Sequence, residues 1–326
     1  MAAPVLVGDV GGTNCRFALA GRDAGAIALQ AVKTFANDAF GAFDQALAAY
    51  LAGIDETPRR ALFALAGPPE RDGSIKLVNR DWPRVHPGAL ARAAGLQQVT
   101  LVNDFAAMAR AIPELPATAF ETIRAGTPDP GAPVIVTGPG TGFGVGTLIA
   151  LKAGSYHVLT GEGGHAAYSP RTQREASLVE RMAVEYGYVS TEMIVSGAWL
   201  QPVFDHLSDM HGRPRETLSP AEILARAEAG DALCEEVCAL RARAIMGAAG
   251  DIVLINGGRG GVVLTGGVAE RMTRWLRAPE ALARFESRGS HSDYMQSVPV
   301  RVLHDASAPL IGAAALIIGE ADEHTG

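Results

Sequence analysis

The sequence predicts an α/β protein of two domains, and three observations support this fold class. The opening third alternates apolar strands, predicted over 5–10, 16–20, 28–35, 61–66 and 99–103, with a helical repeat over about 40–52. The 326 residues exceed what one ordinary hydrophobic core requires. A strand–glycine–strand pattern near the N-terminus also returns near residue 140. This internal repeat predicts two similar halves that face each other across a cleft.

Composition and charge exclude several classes of protein. Apolar residues make up 48% of the chain and charged residues 19%, which is typical of a globular protein in water. The formal charge of -7 argues against a nucleic-acid-binding surface, because phosphate backbones attract clustered Lys and Arg. The three cysteines predict neither a disulfide framework nor a metal site. The chain shows no signal-peptide pattern and no apolar stretch of membrane-spanning length, so we expect a cytoplasmic protein.

The first repeat, "VGDVGGTNCRF", carries more polar atoms than a hairpin turn needs. Two residues such as Gly-Gly suffice for the turn, yet this one adds a carboxylate, a hydroxyl and an amide. A glycine turn that exposes successive backbone N–H groups is an anion site. Related glycine turns occur in "VTGPGTGFGVG" and in "VVLTGGVAERM", where a strand runs through glycines into a helix. Together the three segments predict a phosphate-binding protein.

Two common nucleotide-binding motifs, Walker A and the dinucleotide-binding glycine motif, are absent, so a phosphate site of another kind is expected. None of the three lysines follows a glycine, so there is no Walker A motif. Phe143 stands where the third glycine of a dinucleotide-binding motif belongs. What the pattern favours is a cradle built on β-hairpins. Asp9, at the end of the first strand, is well placed to hold Mg²⁺ through water.

Three further segments place polar side chains at the ends of predicted elements. Asn103 and Asp104 in "VTLVNDFAAM" follow a buried strand, where α/β sheets bind ligands, although for this motif alone a helix N-cap is the favoured explanation. Glu162 and His165 in "TGEGGHAAYSP" bracket two glycines, and a lone histidine is more often a structural hydrogen-bonding group. Glu192 in "VSTEMIVSG" is also explained as a first-turn acid that the helix dipole favours.

Taken together and in this order, these motifs resemble the bacterial ATP-dependent glucokinases. The resemblance runs from residue 5 to about Gly312, and it is carried by "LVGDVGGTNCRFAL", "LVNDFAA", "VTGPGTGFGVG", "TGEGGHAAYSP", "VSTEMIVSG" and "VVLTGGVAERM". This family belongs to the superfamily of sugar kinases, actin and heat-shock chaperone ATPases. The resemblance implies a two-domain actin-like ATPase (ribonuclease H-like) fold with an interdomain cleft. It implies a small α/β domain of residues 1–112 plus 306–326 and a large α+β domain of residues 113–305.

The resemblance also assigns roles to individual residues. Asp104 would be the catalytic base, and the sugar would be bound by Asn103, Asp104, Glu162, His165 and Glu192, with Asn79 of "KLVNRDW" lining the sugar side. The phosphate turns and adenosine segment of the ATP site would be formed by Asp9, Gly11, Gly12, Thr13, Asn14, Gly138, Gly140, Thr141, Gly142, Gly266 and Gly267. Asp9 would hold Mg²⁺ through water. The family also suggests a homodimer.

The implied activity is phosphorylation of glucose at its 6-hydroxyl by Mg-ATP. Kinases for mannose, fructose or an N-acetylated amino sugar are the nearest alternatives, and a non-catalytic sugar-responsive binding protein is another. The phosphoryl donor is also open, because glycine turns bind phosphate whether ATP, ADP or polyphosphate supplies it. No cysteine lies between Cys15 and Cys234, which disfavours the zinc-containing repressor/open-reading-frame/kinase (ROK) group.

Overall fold

The computed structural model describes residues 4–78 and 80–323. This part of the chain divides into two compact units. The first contains the described residues up to Ala119, Leu151–Thr160 and the residues from Asp305 onward; the second contains Phe120–Ala150 and Gly161–His304. The domain boundaries predicted from the sequence lie at 112/113 and 305/306, while the units change at 119/120 and 304/305, and the first unit also takes in Leu151–Thr160.

The strands form two sheets. Their bounds are β1 Val5–Val10, β2 Asn14–Asp23, β3 Ala26–Ala36, β4 Arg60–Leu65, β5 Gln98–Asn103, β6 Phe120–Arg124, β7 Val134–Pro139, β8 Phe143–Ala150, β9 Tyr156–Gly161, β10 Gly261–Leu264 and β11 Val300–Leu303. The first sheet has the order β3-β2-β1-β4-β5, and the second has the order β6-β11-β10-β7-β8-β9.

The longest of the described helices, α8, lies in the second unit. They are α1 Phe43–Leu51, α2 Pro87–Ala94, α3 Asp104–Ala111, α4 Gln173–Tyr186, α5 Thr191–Val195, α6 Leu200–Met210, α7 Pro220–Glu228, α8 Ala232–Asn256, α9 Gly267–Arg271, α10 Thr273–Leu276, α11 Pro279–Glu286, α12 Ser292–Gln296 and α13 Ala308–Glu323. No helix within residues 4–78 and 80–323 combines the length and apolarity that a membrane span requires.

The internal repeat predicted from the sequence is confirmed by the topology. In the first sheet the antiparallel hairpin β1–β2 is followed by β4 and β5, both parallel to β1. In the second sheet the antiparallel hairpin β7–β8 is followed by β10, parallel to β7, and by β11, parallel to β10. The order β2-β1-β4-β5 therefore recurs as β8-β7-β10-β11. In each sheet the glycine turn joins the two strands of the hairpin.

Alternation along β1 builds a core on both faces of the first sheet. Leu6 and Val10 pack in a cluster with Tyr50 of α1 and Leu90 of α2. Val5 and Val7 point to the other face and pack with apolar residues of α13. Side chains of a strand alternate between faces with a period of two, so one apolar strand can supply both cores. The two hydrophobic layers hold β1 rigidly, and β1 carries the first glycine turn at its carboxyl end.

The long helix α8 forms the centre of the second unit. Its 25 residues are buried on most sides and pack with α4–α7, α11 and the strands β7 and β10. Cys234 and Cys238 are buried within it as free thiols, where they pack as small apolar residues.

Candidate active site

The first glycine turn is fixed by hydrogen bonds to its carbonyl oxygens. The β1–β2 ladder closes with the pair Val10–Cys15, and Gly11 N donates to Asn14 O at 3.1 Å. Asn37, which is completely buried, donates its Nδ2 to Gly11 O at 2.8 Å and its backbone N to Thr13 O at 2.9 Å. Arg80 Nη1 lies 3.4 Å from Gly12 O. Three successive carbonyls of the turn are therefore held by protein donors.

Asn103 and Asp104 lie at the same edge of the first sheet as this turn. The register places Val10 beside Leu65, and Leu65 beside Asn103, so the parallel strands β1, β4 and β5 end level with each other. Asn103 is the N-cap of α3: its Oδ1 accepts from Phe105 N at 2.9 Å, while its Nδ2 donates to Gly67 O at 3.2 Å. Asp104 is the first residue of α3, and its Oδ1 accepts from the same N–H at 3.0 Å. The capping interpretation is thus correct for Asn103.

Asp9 is a partly buried carboxylate one residue before the end of β1. Burial raises the pKa of this carboxyl to about 6, and the opposing effect comes from Arg16, its partner across the β1–β2 ladder. A single carboxylate beside the predicted phosphate site fits Mg²⁺, which keeps most of its water and takes other oxygens from phosphates. Within the described residues no three His, Cys, Asp or Glu side chains converge as a complete metal cage.

The second glycine turn packs against the start of α9. Thr265 N donates to Thr137 O at 2.9 Å, and an added Cβ on Gly138 would lie 2.0 Å from Thr265 O. Gly266 has a φ of 91°, and a Cβ there would lie 2.7 Å from Pro139 O. The structure therefore brings together two of the predicted nucleotide segments, Gly138–Gly142 and Gly266–Gly267, and glycine is required where they touch.

The predicted sugar ligands of the second unit lie on two connected segments. Glu162 precedes a 3₁₀ turn and His165 ends it; both are well exposed and approach each other to 4.0 Å between Oε2 and Nε2. Tyr188 donates its hydroxyl to His165 O at 2.7 Å. Glu192 is in the first turn of α5, as its first-turn interpretation predicts, and Thr191 N donates to Ala166 O at 2.9 Å. These bonds hold α5 beside the loop that carries Glu162 and His165.

Both turns carry backbone N–H groups that face no protein acceptor. In the first turn these are the N–H groups of Gly12 and Thr13, and in the second those of Thr141 and Gly142; none of them donates to an atom of residues 4–78 or 80–323. Thr13 and Thr141 are exposed to solvent. Two adjacent amides of this kind form a concave site for an anion.

A cavity of about 370 Å³ lies beside α9 in the second unit. Its walls are mainly apolar and include Leu200, Ile223, Leu224, Val268 and Met272. Arg241 also lines it, is 5% exposed, and donates its Nη2 to Val195 O at 2.7 Å. Burial lowers the pKa of this guanidinium to about 10. The cavity therefore suits a largely apolar ligand, with polar contacts available from Glu228, Arg241 and Arg271.

Sequence reasoning identified the turns and the polar ends of strands, but it missed the residues that hold them. Asn37, Arg80 and Tyr188 contact the site only through tertiary packing, and no local pattern marks them. A fully buried asparagine is a recognisable signal once burial is known, because such a side chain needs partners. Asn79, predicted to line the sugar side, lies outside the described residues.

Comparison with known proteins agrees with this geometry. A family model described as Glucokinase matches residues 6–319. The glucokinase of Chromobacterium violaceum is 35% identical over 314 residues, which cover 96% of this chain and 88% of that protein. The glucokinase of Caulobacter sp. (strain K31) is 36% identical over 311 residues, covering 95% and 93%.

Solved structures with the same fold include glucokinases. A glucokinase from an Antarctic psychrotroph superposes with a TM-score of 0.85 at 33% identity, covering 98% of this chain and 100% of that one. A ROK family glucokinase from Streptomyces griseus, solved with glucose and AMPPNP, has a TM-score of 0.63 at 17% identity, covering 96% and 99%. The fold and the glycine turns define a sugar kinase with the two-domain actin-like ATPase fold. The chain belongs to the glucokinase family.

Proposed function

We propose that this chain transfers the γ-phosphoryl group of Mg-ATP to the 6-hydroxyl of glucose, with Asp104 as the general base. The observation that carries the proposal is the pair of glycine turns, each with two adjacent N–H groups that face no acceptor in the described chain. The level ends of β1 and β5, which bring Asn103 and Asp104 to the edge of the first turn, support the position of the base. Family membership supports glucose as the sugar.

The reaction is an in-line displacement at phosphorus. The sugar hydroxyl oxygen forms a bond to the γ-phosphorus while the bond from that phosphorus to the β,γ-bridging oxygen breaks, and ADP leaves with the electron pair. Asp104 accepts the hydroxyl proton as the new bond forms, a role that contributes about 10²–10⁴-fold. The hydrogen bond from Phe105 N to Asp104 Oδ1 orients the carboxylate.

The remaining polar groups match the two substrates. Asn103, Glu162, His165 and Glu192 supply the mixed donors and acceptors that sugar hydroxyls need, since each hydroxyl both donates and accepts. The turns bind phosphate oxygens through their amides. Mg²⁺, when bound beside Asp9, neutralises charge on the phosphates. The apolar cavity next to α9 takes the adenosine, with Gly266 and Gly267 at its phosphate end.

The test is ADP formation from Mg-ATP with glucose, mannose, fructose, N-acetylglucosamine and N-acetylmannosamine, using wild type, Asp104→Asn and Asp104→Ala. We expect a clear preference for glucose, and a loss of kcat of at least about 10²-fold in both variants with glucose binding partly kept. Asp55→Ala is the matched control, because Asp55 is exposed in the loop between α1 and β4; it should keep wild-type turnover.

Any result that differs from this expectation changes one part of the proposal. Preference for another sugar changes the substrate and keeps the mechanism. Turnover of Asp104→Asn within tenfold of wild type removes Asp104 as the base. Glucose binding without turnover by ATP, but with turnover by ADP or polyphosphate, changes the donor, and absence of turnover with all three donors favours a sugar-binding protein. On the family resemblance we also expect a cytoplasmic homodimer.

A further inference from the structure

Glu192 holds the second glycine turn by a side-chain contact that a purely sugar-binding residue would not need. Its Oε2 accepts a hydrogen bond from Phe143 N at 2.8 Å, across 49 residues of sequence. Phe143 is the residue that follows the turn, and it begins β8. Bonds from an N–H to a carboxylate are stronger than bonds between neutral groups. The carboxylate therefore fixes the point where the turn rejoins the sheet.

The fit between Glu192 and the turn is also steric. A Cβ added to Gly142 would lie 2.6 Å from Glu192 Oε2, so only glycine leaves room for the carboxylate. The other end of the same segment contacts the turn as well, because Gly197 N donates to Gly140 O at 2.9 Å. The segment from Glu192 to Gly197 thus contacts the turn on both of its sides.

The same segment is tied to the loop of the predicted sugar ligands. Thr191 N donates to Ala166 O, and Ala167 and Ser190 form a β-bridge. Oε1 of Glu192 accepts no hydrogen bond from residues 4–78 or 80–323, whereas Oε2 is engaged by Phe143. One oxygen is therefore committed to the turn, and the other is available to a sugar hydroxyl.

We propose that Glu192 is a positioning residue for the second glycine turn as well as a sugar ligand, so that glucose and nucleotide strengthen each other's binding. The inference rests on the proposed function for the identity of the two ligands. A sugar that engages Oε1 restricts the carboxylate to the rotamer that holds Phe143 N–H, and this keeps the turn amides in place for phosphate. Linkage is reciprocal, so each ligand raises the affinity of the other by the same factor, about 5–10-fold here.

The first arm of the test uses ligand-free protein and does not depend on the reaction. Amide hydrogen exchange of residues 138–145 is measured in wild type, Glu192→Ala and Glu192→Gln. We expect exchange in this segment to be about tenfold faster in Glu192→Ala and near wild type in Glu192→Gln, whose amide oxygen can still accept from Phe143 N–H. Equal exchange in all three proteins overturns the positioning role.

The second arm measures the Kd of Mg-AMPPNP by calorimetry, with and without glucose. In Glu192→Ala we expect nucleotide affinity without sugar to fall about 5–10-fold and the effect of glucose on it to disappear. Glu192→Gln should keep the nucleotide affinity without sugar, while its Kd for glucose rises. Gly142→Ala should weaken nucleotide binding, because its methyl group would displace Glu192 Oε2 while the carboxylate itself remains in the chain. Gly21→Ala, where an added Cβ meets nothing within 4 Å, is the matched control.

The outcomes separate this inference from the proposed function. Unchanged nucleotide affinity in Glu192→Ala, with a raised Kd for glucose, overturns the coupling and leaves a simple sugar ligand. If wild type binds glucose but not AMPPNP, the assignment of the nucleotide fails and the coupling falls with it, while the exchange arm still decides whether Glu192 holds the turn. Equal melting temperatures of the Gln variant and wild type exclude a general loss of stability.

Discussion

The two glycine turns are held in place by different kinds of side chain. Both leave adjacent N–H groups without an acceptor in the described chain, and both join an antiparallel hairpin at the same place in the sheet order. The first turn is held at its carbonyls by donors, a neutral amide from Asn37 and a guanidinium from Arg80. The second is held at an N–H by the carboxylate of Glu192, and at the carbonyl of Gly140 by a backbone N–H, that of Gly197. Under the proposed function, a phosphate at the first turn would lie near the Arg80 guanidinium, and a phosphate at the second would lie near the Glu192 carboxylate.

The turns also differ in how tightly their backbones are packed, and the largest predicted effect tests this. Gly138→Ala places a methyl group 2.0 Å from Thr265 O, whereas the same group on Gly11 would lie 3.8 Å from Asn14 O. We expect Gly138→Ala to lower the free energy of unfolding by about 3 kcal/mol, because backbone atoms must move. Gly11→Ala should lower it by less than about 1 kcal/mol. Urea unfolding measures both, and equal losses would contradict the difference.

Asp9 gives the first turn an ionisable strand residue that the second turn does not have. Its folded pKa of about 6 lies above the ordinary value of 3.8, so folding favours the protonated form. That stabilisation is complete below about pH 4 and is lost as the pH rises through 6. We therefore expect Asp9→Asn to be more stable than wild type by about 1–2 kcal/mol at pH 8, measured in urea without Mg²⁺ or nucleotide.

The same comparison at pH 4 should show no advantage for Asp9→Asn, because the wild-type carboxyl is then protonated as well. An advantage of equal size at both pH values would show that burial of the charge is not its cause. Activity should fall in this variant, because the proposed Mg²⁺ site would lose its carboxylate.

Arg80→Ala tests the role of the guanidinium at the first turn. Its guanidinium contacts Gly12 O, pairs with Asp38 Oδ1 at 2.7 Å, and lies over the Trp82 ring at 4.9 Å. We expect Arg80→Ala to raise the KM for Mg-ATP about 5–10-fold and to leave the KM for glucose unchanged.

Arg84→Ala is the control, because Arg84 pairs with the exposed Glu70 at 3.3 Å and such surface pairs contribute little. Its KM values should stay within about twofold of wild type. A selective rise in the glucose KM of Arg80→Ala would move this residue from the phosphate turn to the sugar side.

The smallest effect is expected for Tyr188, whose hydroxyl holds one carbonyl of the loop that carries Glu162 and His165. Tyr188→Phe removes only the hydroxyl that donates to His165 O at 2.7 Å, on an exposed surface. We expect the KM for glucose to rise about two- to threefold, with the KM for Mg-ATP unchanged. Steady-state kinetics with both substrates varied measures this, and a change in the nucleotide KM alone would contradict it.

These contrasts show what the sequence could and could not predict. Apolar runs predicted β1, β4 and β5, and the glycines predicted both turns, because these signals are local and depend on backbone geometry. Asn103 was recognisable as a cap for the same reason. The groups that hold the turns come from 26 to 68 residues away, as for Asn37 and Arg80, so only tertiary packing brings them there. Glu192 was visible as a first-turn acid, but its bond to Phe143 was not.

The packing of α13 has a consequence for how the protein is made. This helix covers one face of the first sheet, and a Cβ on its Gly312 would lie 1.7 Å from Ala107 O of α3. Yet roughly 200 residues separate Ala111 from Ala308 along the chain. At a ribosomal rate of about 5–20 residues per second, the first sheet remains without this helix for about 10–40 s after α3 has been made. We expect the N-terminal sheet to be a chaperone client during synthesis and to reach its native packing only after the second unit has been translated.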